Sequence, residues 1–90
     1  MEKTRIIMTE VKCPSGKYVR FASKSSGNTV ATVDRIEGKY TVFTYNEYGH
    51  FSERGSRSSK QSAIKLAQEW VSRLIEDAEF KWNVVAERYR

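Results

Sequence analysis

"KYTVFTYNEYGHFSERGSRSSKQSAIKLAQEWV", residues 39–71, decides the fold, because the spacing of its apolar residues changes partway along. At its start Tyr40, Val42 and Thr44 alternate with Thr41, Phe43 and Tyr45, the period of two that predicts a strand with rings on both faces. A sheet covered by a helix on one face only leaves one of these sets wet. Tyr48-Gly49 marks a turn, and a short fifth strand is expected around Phe51. From Ser59 the period lengthens to about 3.6: Ile64, Ala67, Val71, Leu74, Ala78, Trp82, Val85 and Tyr89 form one apolar helical stripe. Ser58 or Ser59 can cap that helix by accepting a bond from an orphan backbone N–H.

Working outward, "TRIIMTEVKC" alternates Ile6 and Met8 against Ile7 and Val11, and "KYVRFAS" sets Val19 and Phe21 against Tyr18 and Arg20. Pro14 and Gly16 between them predict a hairpin turn. "TVATVDRIE" fits a strand, although Val30, Val33 and Ile36 also fit a helical spacing. Its Thr and Val content and the "EGK" hairpin signal that follows favour strand. The expected fold is therefore α+β, a single domain over 1–90. A three- to five-stranded antiparallel meander (about 4–54) precedes a long C-terminal helix (about 59–88) packed on one face.

That helix raises a difficulty of length. No Gly or Pro interrupts Ser59 to Arg90, yet an unbroken helix there would be about 46 Å long, against a radius of gyration of about 12 Å for a domain of this size. The helix can break near Glu79 to Asn83, project its last turns, or give way to "FKWNV" returning as an edge strand. The reading favoured is a long or kinked helix whose end, through Trp82, Val85 and Tyr89, serves a homodimer or another partner.

Sixteen Lys plus Arg against eleven Asp plus Glu give +5, the balance of a protein with a polyanionic partner. The charge is unevenly spread. Lys12, Lys17, Arg20 and Lys24 form one acid-free run; Arg54, Arg57, Lys60 and Lys65 form a second; Glu69, Glu76, Asp77 and Glu79 make the later segment acidic. Polarity of this kind orients a protein on a charged surface. A lone Cys13 makes no internal disulfide, which points to a reducing cytoplasm. No stretch has the length of a signal peptide's apolar region or of a membrane span.

Gly38 to Trp70 carries a resemblance. Gly38 and Tyr40 opening a strand, Gly49 in a turn, Ser59 and Lys60 at a step into a helix, and Ala63 and Ala67 four apart along it are similar to the sheet-plus-helix DNA-binding domain at the N-terminus of lambda-type tyrosine integrases. Relatives of that domain occur in plant transcription factors. The resemblance implies DNA binding by a sheet face, with phosphates met at its rim. The Ser-Lys step also resembles the end of a double-stranded-RNA-binding domain, whose N-terminal helix has no counterpart here and whose third basic position is Gln61.

The expected function is a small basic nucleic-acid-binding protein, DNA over RNA, of the phage or plasmid accessory kind. It would contact phosphates through a basic sheet-helix junction. Candidate contacts are Arg20, Lys24, Arg54, Arg57, Lys60, Lys65 and Tyr45. The alternative is a protein-binding inhibitor of a host defence or nucleic-acid enzyme, because small basic single domains also resemble the phage proteins that block CRISPR complexes. An enzyme is not expected. His50 has no partner of nucleophile or ligand type nearby in sequence, Cys13 has no CxxC companion, and Glu76, Asp77 and Glu79 lack the remaining oxygen ligands of a metal site. No cofactor or metal is expected, and no membrane.

Overall fold

The turns predicted from sequence set the ladder. In the computed structural model, which describes residues 3–14 and 16–83, Ile36 stands opposite Lys39 with only Glu37 and Gly38 between them. Their φ values are 52° and 81°, the pair of left-handed residues that a type I′ hairpin demands. The other meander turn of this half is built on Asn46. Its Oδ1 accepts from the backbone N–H of Tyr48 and of His50 at 2.9 and 3.0 Å.

These turns join β1 (Thr4–Cys13), β2 (Gly16–Ser23), β3 (Thr29–Ile36), β4 (Lys39–Tyr45) and β5 (Phe51–Arg57) into an antiparallel meander. Helix α1 (Lys60–Leu74) and a sixth strand, β6 (Ala78–Trp82), follow. The sheet order is β5-β4-β3-β2-β1-β6, with β6 parallel to β1. Because β1 to β5 alternate in direction, β5 and β6 run the same way. Helix α1 is the crossover that carries the chain from one edge of the sheet to the other.

The alternation read from sequence assigns the two faces. Ile6, Met8, Val19, Phe21, Ala31, Val33 and Val42 are buried on the side that meets Ala63, Ala67 and Val71 of α1. Three small residues at i, i+4 and i+8 let the helix axis lie close to the strands. The approach is tight over β5, where a Cβ on Gly55 would come 3.4 Å from Leu66 Cδ2. The other face, bearing Ile7, Tyr18, Arg20, Thr32, Phe43, Tyr45 and Phe51, has no covering element among the described residues.

The sheet has six strands and one parallel pairing in place of the expected three to five antiparallel strands, and two boundaries also differ. Strand β5 runs on to Arg57, and the helix stops at Leu74 rather than continuing to about 88. Ser59 caps its start as predicted, its Oγ accepting from the Ser62 N–H. At the other end the Ile75 N–H still donates to Val71 O at 2.7 Å, but Asp77 takes φ of 57°. Asp is among the few non-glycine residues that tolerate this region, so the chain turns without Gly or Pro. Thr4 N–H then donates to Asp77 O at 3.0 Å, and β6 pairs along β1.

Burial accounts for the preference. Continued as helix, the stripe would pass through Leu74, already 53% exposed. As a strand it sets Phe80 opposite Ile6, with its ring edge-on to Phe21 at 6.0 Å, and covers the open edge of β1. The favoured reading, a long or kinked helix, is therefore not what forms; the returning strand is. Trp82, placed on the helix by the sequence reading, ends β6 opposite Met8 and is 48% exposed. Val85 and Tyr89 lie outside the described residues.

Candidate nucleic-acid interface

Side chains in register across a sheet share a face, and that rule gathers charge at one end of the molecule. Lys12 is opposite Lys17 between β1 and β2. Arg35 is opposite Tyr40, and Tyr40 is opposite Arg57, across β3, β4 and β5. Tyr18 pairs with Asp34, so the next step of the same ladder brings Lys17 beside Arg35. Lys12, Lys17, Arg35, Tyr40 and Arg57 thus form one cross-strand row over five strands. It is about 19 Å wide at the usual ~4.8 Å strand spacing.

The row lies on the helix side, just beyond the end of the buried core. Lys60, the first residue of α1, reaches into it and donates to the Glu10 carboxylate, with Lys17 3.8 Å from the same group. A hollow of about 420 Å³ in the row is lined by Lys17, Asp34, Arg35, Tyr40 and Lys60 among others. The Arg35 guanidinium lies 5.9 Å from the Tyr40 ring centre. Arg57 donates to the Ser56 carbonyl at 2.7 Å. Among the described residues, Lys12, Arg35 and Arg57 form no ion pair. The first turn of α1 carries no acid, so the positive end of its dipole adds to the field.

Glu10 is the counter-charge that lets these cations sit together. Its carboxyl is held below the ordinary 4.5, chiefly by the hydrogen bond from Lys60, which together with the charges of Lys60, Lys17 and Lys12 outweighs the opposing desolvation. A carboxyl whose folded pKa is depressed stabilises the fold above its unfolded pKa and loses that contribution as pH falls through the folded value. Wild type should therefore exceed Glu10→Gln in stability by a constant margin above pH 4.5. The margin should close as acid is added below it. Urea melts of both proteins at a series of pH values check this; a margin that persists at pH 2 would show that the carboxylate charge is not its source.

The structure does not bring the seven sequence-predicted contacts together. Arg57 and Lys60 belong to the row. Arg20 lies on the uncovered face, its Nε donating to Thr29 Oγ1 at 2.7 Å and its Nη2 to the Gly27 carbonyl at 2.8 Å, so it braces the β2–β3 turn. Tyr45 is on the same face, its hydroxyl 3.4 Å from Thr32 Oγ1 and its ring 6.1 Å from Phe51. Lys24 sits in the β2–β3 turn at the β1 side, where its N–H donates to the Arg5 carbonyl. Lys65 is exposed on α1.

Arg54 is drawn inward instead. The register shifts between Val42 and Phe43, leaving Arg54 as the extra residue between Gly55 and Glu53. A bulge re-aims its side chain, and this one faces the helix. Arg54 Nε donates to Thr44 Oγ1 at 2.8 Å, and its guanidinium stacks 4.2 Å from the Trp70 ring centre. Lys12, Lys17 and Arg35 were absent from the sequence-derived set. Counting outward from each predicted hairpin turn is the operation that finds them.

Among the described residues there is no cluster of three or more His, Cys, Asp or Glu suited to a metal ion, and no helix is long and apolar enough to cross a membrane. No family model, curated protein or solved structure matches the chain.

Proposed function

We propose that this protein binds nucleic acid, DNA in preference to RNA, by seating a phosphate backbone along the row formed by Lys12, Lys17, Arg35, Arg57 and Lys60. The observation that carries this reading is the cross-strand register, which sets four cations of four strands along one line, joined by Lys60 from the helix start, with Glu10 paired to Lys17 and Lys60. Phosphates are met by such point charges and by backbone N–H groups, which fix position and supply affinity without reading sequence. The row carries no group placed for base edges, so weak sequence preference is part of the proposal. The integrase-like resemblance over residues 38–70 points toward DNA.

The test is the salt dependence of binding. With about four phosphates neutralised on a duplex, log K should fall with log salt at a slope near −3.6, a loss of about 150-fold between about 50 and 200 mM. Fluorescence anisotropy with a random DNA duplex, a single strand and an RNA duplex reads both the slope and the preference. No association at the lowest salt would overturn the proposal.

A second reading, the protein-binding inhibitor, is favoured by the uncovered face. Phe51 is 64% exposed there beside Phe43, whose ring centre is 5.5 Å away, and Tyr45. An inhibitor seated on the DNA-binding surface of its target meets positive charge, which the basic row repels. The inhibitor would therefore have to use this other face, and failure of all three nucleic acids to bind would make it the leading reading.

A further inference from the structure

At the opposite end of α1 from the basic row, a cleft of about 400 Å³ opens between the helix C-terminus and the turns that follow β2 and β4. One wall is apolar, with Val30 from β3 and Val71, Leu74 and Ile75 from the end of the helix, and the polar side chains of the two turns line the rest. Arg54 stands at its side, half-buried. The guanidinium is fixed twice, by Nε donating to Thr44 Oγ1 and by its stack on Trp70, whose other cationic neighbour is Arg73 at 5.1 Å. Neither Nη atom has a hydrogen-bond partner among the described residues, and Arg54 forms no ion pair there, although Glu47 lines the same cleft.

A stacked, oriented guanidinium with its outer N–H groups unused is pre-organised for a bidentate anion. The aliphatic wall beside it suits hydrocarbon. The volume lies within the range of small-molecule sites. We infer that this cleft binds a small organic acid, a carboxylate carried on a branched or aromatic hydrocarbon of roughly ten heavy atoms, with the carboxylate on Arg54 and the hydrocarbon against Val30, Val71 and Leu74. His50 and Asn46 line the same site. The assignment is independent of nucleic-acid binding, since no residue of the row lines the cleft.

The experiment is a nuclear magnetic resonance titration of the whole chain with 3-phenylpropionate and, in parallel, its uncharged amide. It follows the Arg54 Nε–H and Trp70 indole N–H signals. The acid should shift both with a Kd of about 1 mM, typical of a ligand this small, and the amide should bind at least tenfold more weakly. Arg54→Lys keeps the charge without the planar fork and should weaken the acid severalfold. Leu74→Asp, at an exposed position, leaves Arg54 in place but sets a like charge on the wall, and should abolish acid binding while the spectrum stays that of a folded protein. Equal shifts from acid and amide, no shift from either at about ten times the expected Kd, or undiminished binding by Leu74→Asp would each overturn the inference.

Discussion

A variant carrying Lys17→Gln, Arg35→Gln and Arg57→Gln is expected to bind duplex DNA about 500-fold more weakly than wild type at about 0.1 M salt, with a salt slope lower by about 2.7. Each phosphate contact releases about 0.9 counterion, and at that salt each release contributes close to a factor of eight. Three removed contacts multiply to the stated loss. The three side chains are exposed, and surface substitutions of this kind change stability by about 0.5 kcal/mol or less, so the fold survives the test. The matched control is Lys24→Gln, Lys65→Gln and Lys81→Gln, which removes the same formal charge from exposed positions outside the row. Its expected loss is tenfold at most, arising from the general field alone. Equal losses in the two triple variants would mean that net charge, and not the row, governs binding.

That contrast also measures how much of the site was legible in the sequence. Charge runs along the chain group Arg20 with Lys17, and Arg54 with Arg57, because neighbours in sequence are neighbours in the count. In a strand, adjacent side chains point to opposite faces. Arg20 therefore leaves the face that Lys17 occupies, and a bulge at Arg54 turns a second cation into a structural one. Cross-strand partners decide which charges meet, and those follow from the turns. The Glu37-Gly38 hairpin was readable, and with it Arg35 beside Tyr40. The bulge was signalled only by Gly55, since a glycine inside a strand often marks one, and that residue alone does not say that Arg54 is the one turned inward.

The fold divides along the same line. Strands β1, β2 and β4 and the Ser59 cap follow from local patterns that agree with each other, whereas β3 had a competing helical spacing and β5 extends past its local signal to Arg57. Helix α1 ends for a reason that is not local. Ala78 and Trp82 fit the helical stripe as well as a strand, and only the unpaired edge of β1 and the ring of Phe21 decide between them. Asp77 permits the turn without announcing it, as a glycine would have.

Phe21 is where that decision can be measured. It is fully buried in β2, opposite Met8 on one side and Ala31 on the other, with Phe80 of β6 edge-on. Phe21→Ala should cost about 3–5 kcal/mol through lost burial and the cavity left behind, against a total of about 5–13 kcal/mol for a domain of this length. The thermal midpoint should drop by about 15 °C or more. Phe80→Ala should cost less, and the double variant should fall short of additivity by about 0.5–1.5 kcal/mol, the coupling of an edge-on aromatic pair. Phe51→Ala supplies the comparison. The residue type is the same and its ring also meets another edge-on, Phe43 at 5.5 Å, but it is 64% exposed on the face that no helix covers. Its loss should cost about 1 kcal/mol or less, as exposed positions do. A penalty at Phe51 equal to that at Phe21 would show the open face to be covered in solution, and would move the weight of the functional reading from the basic row to that face.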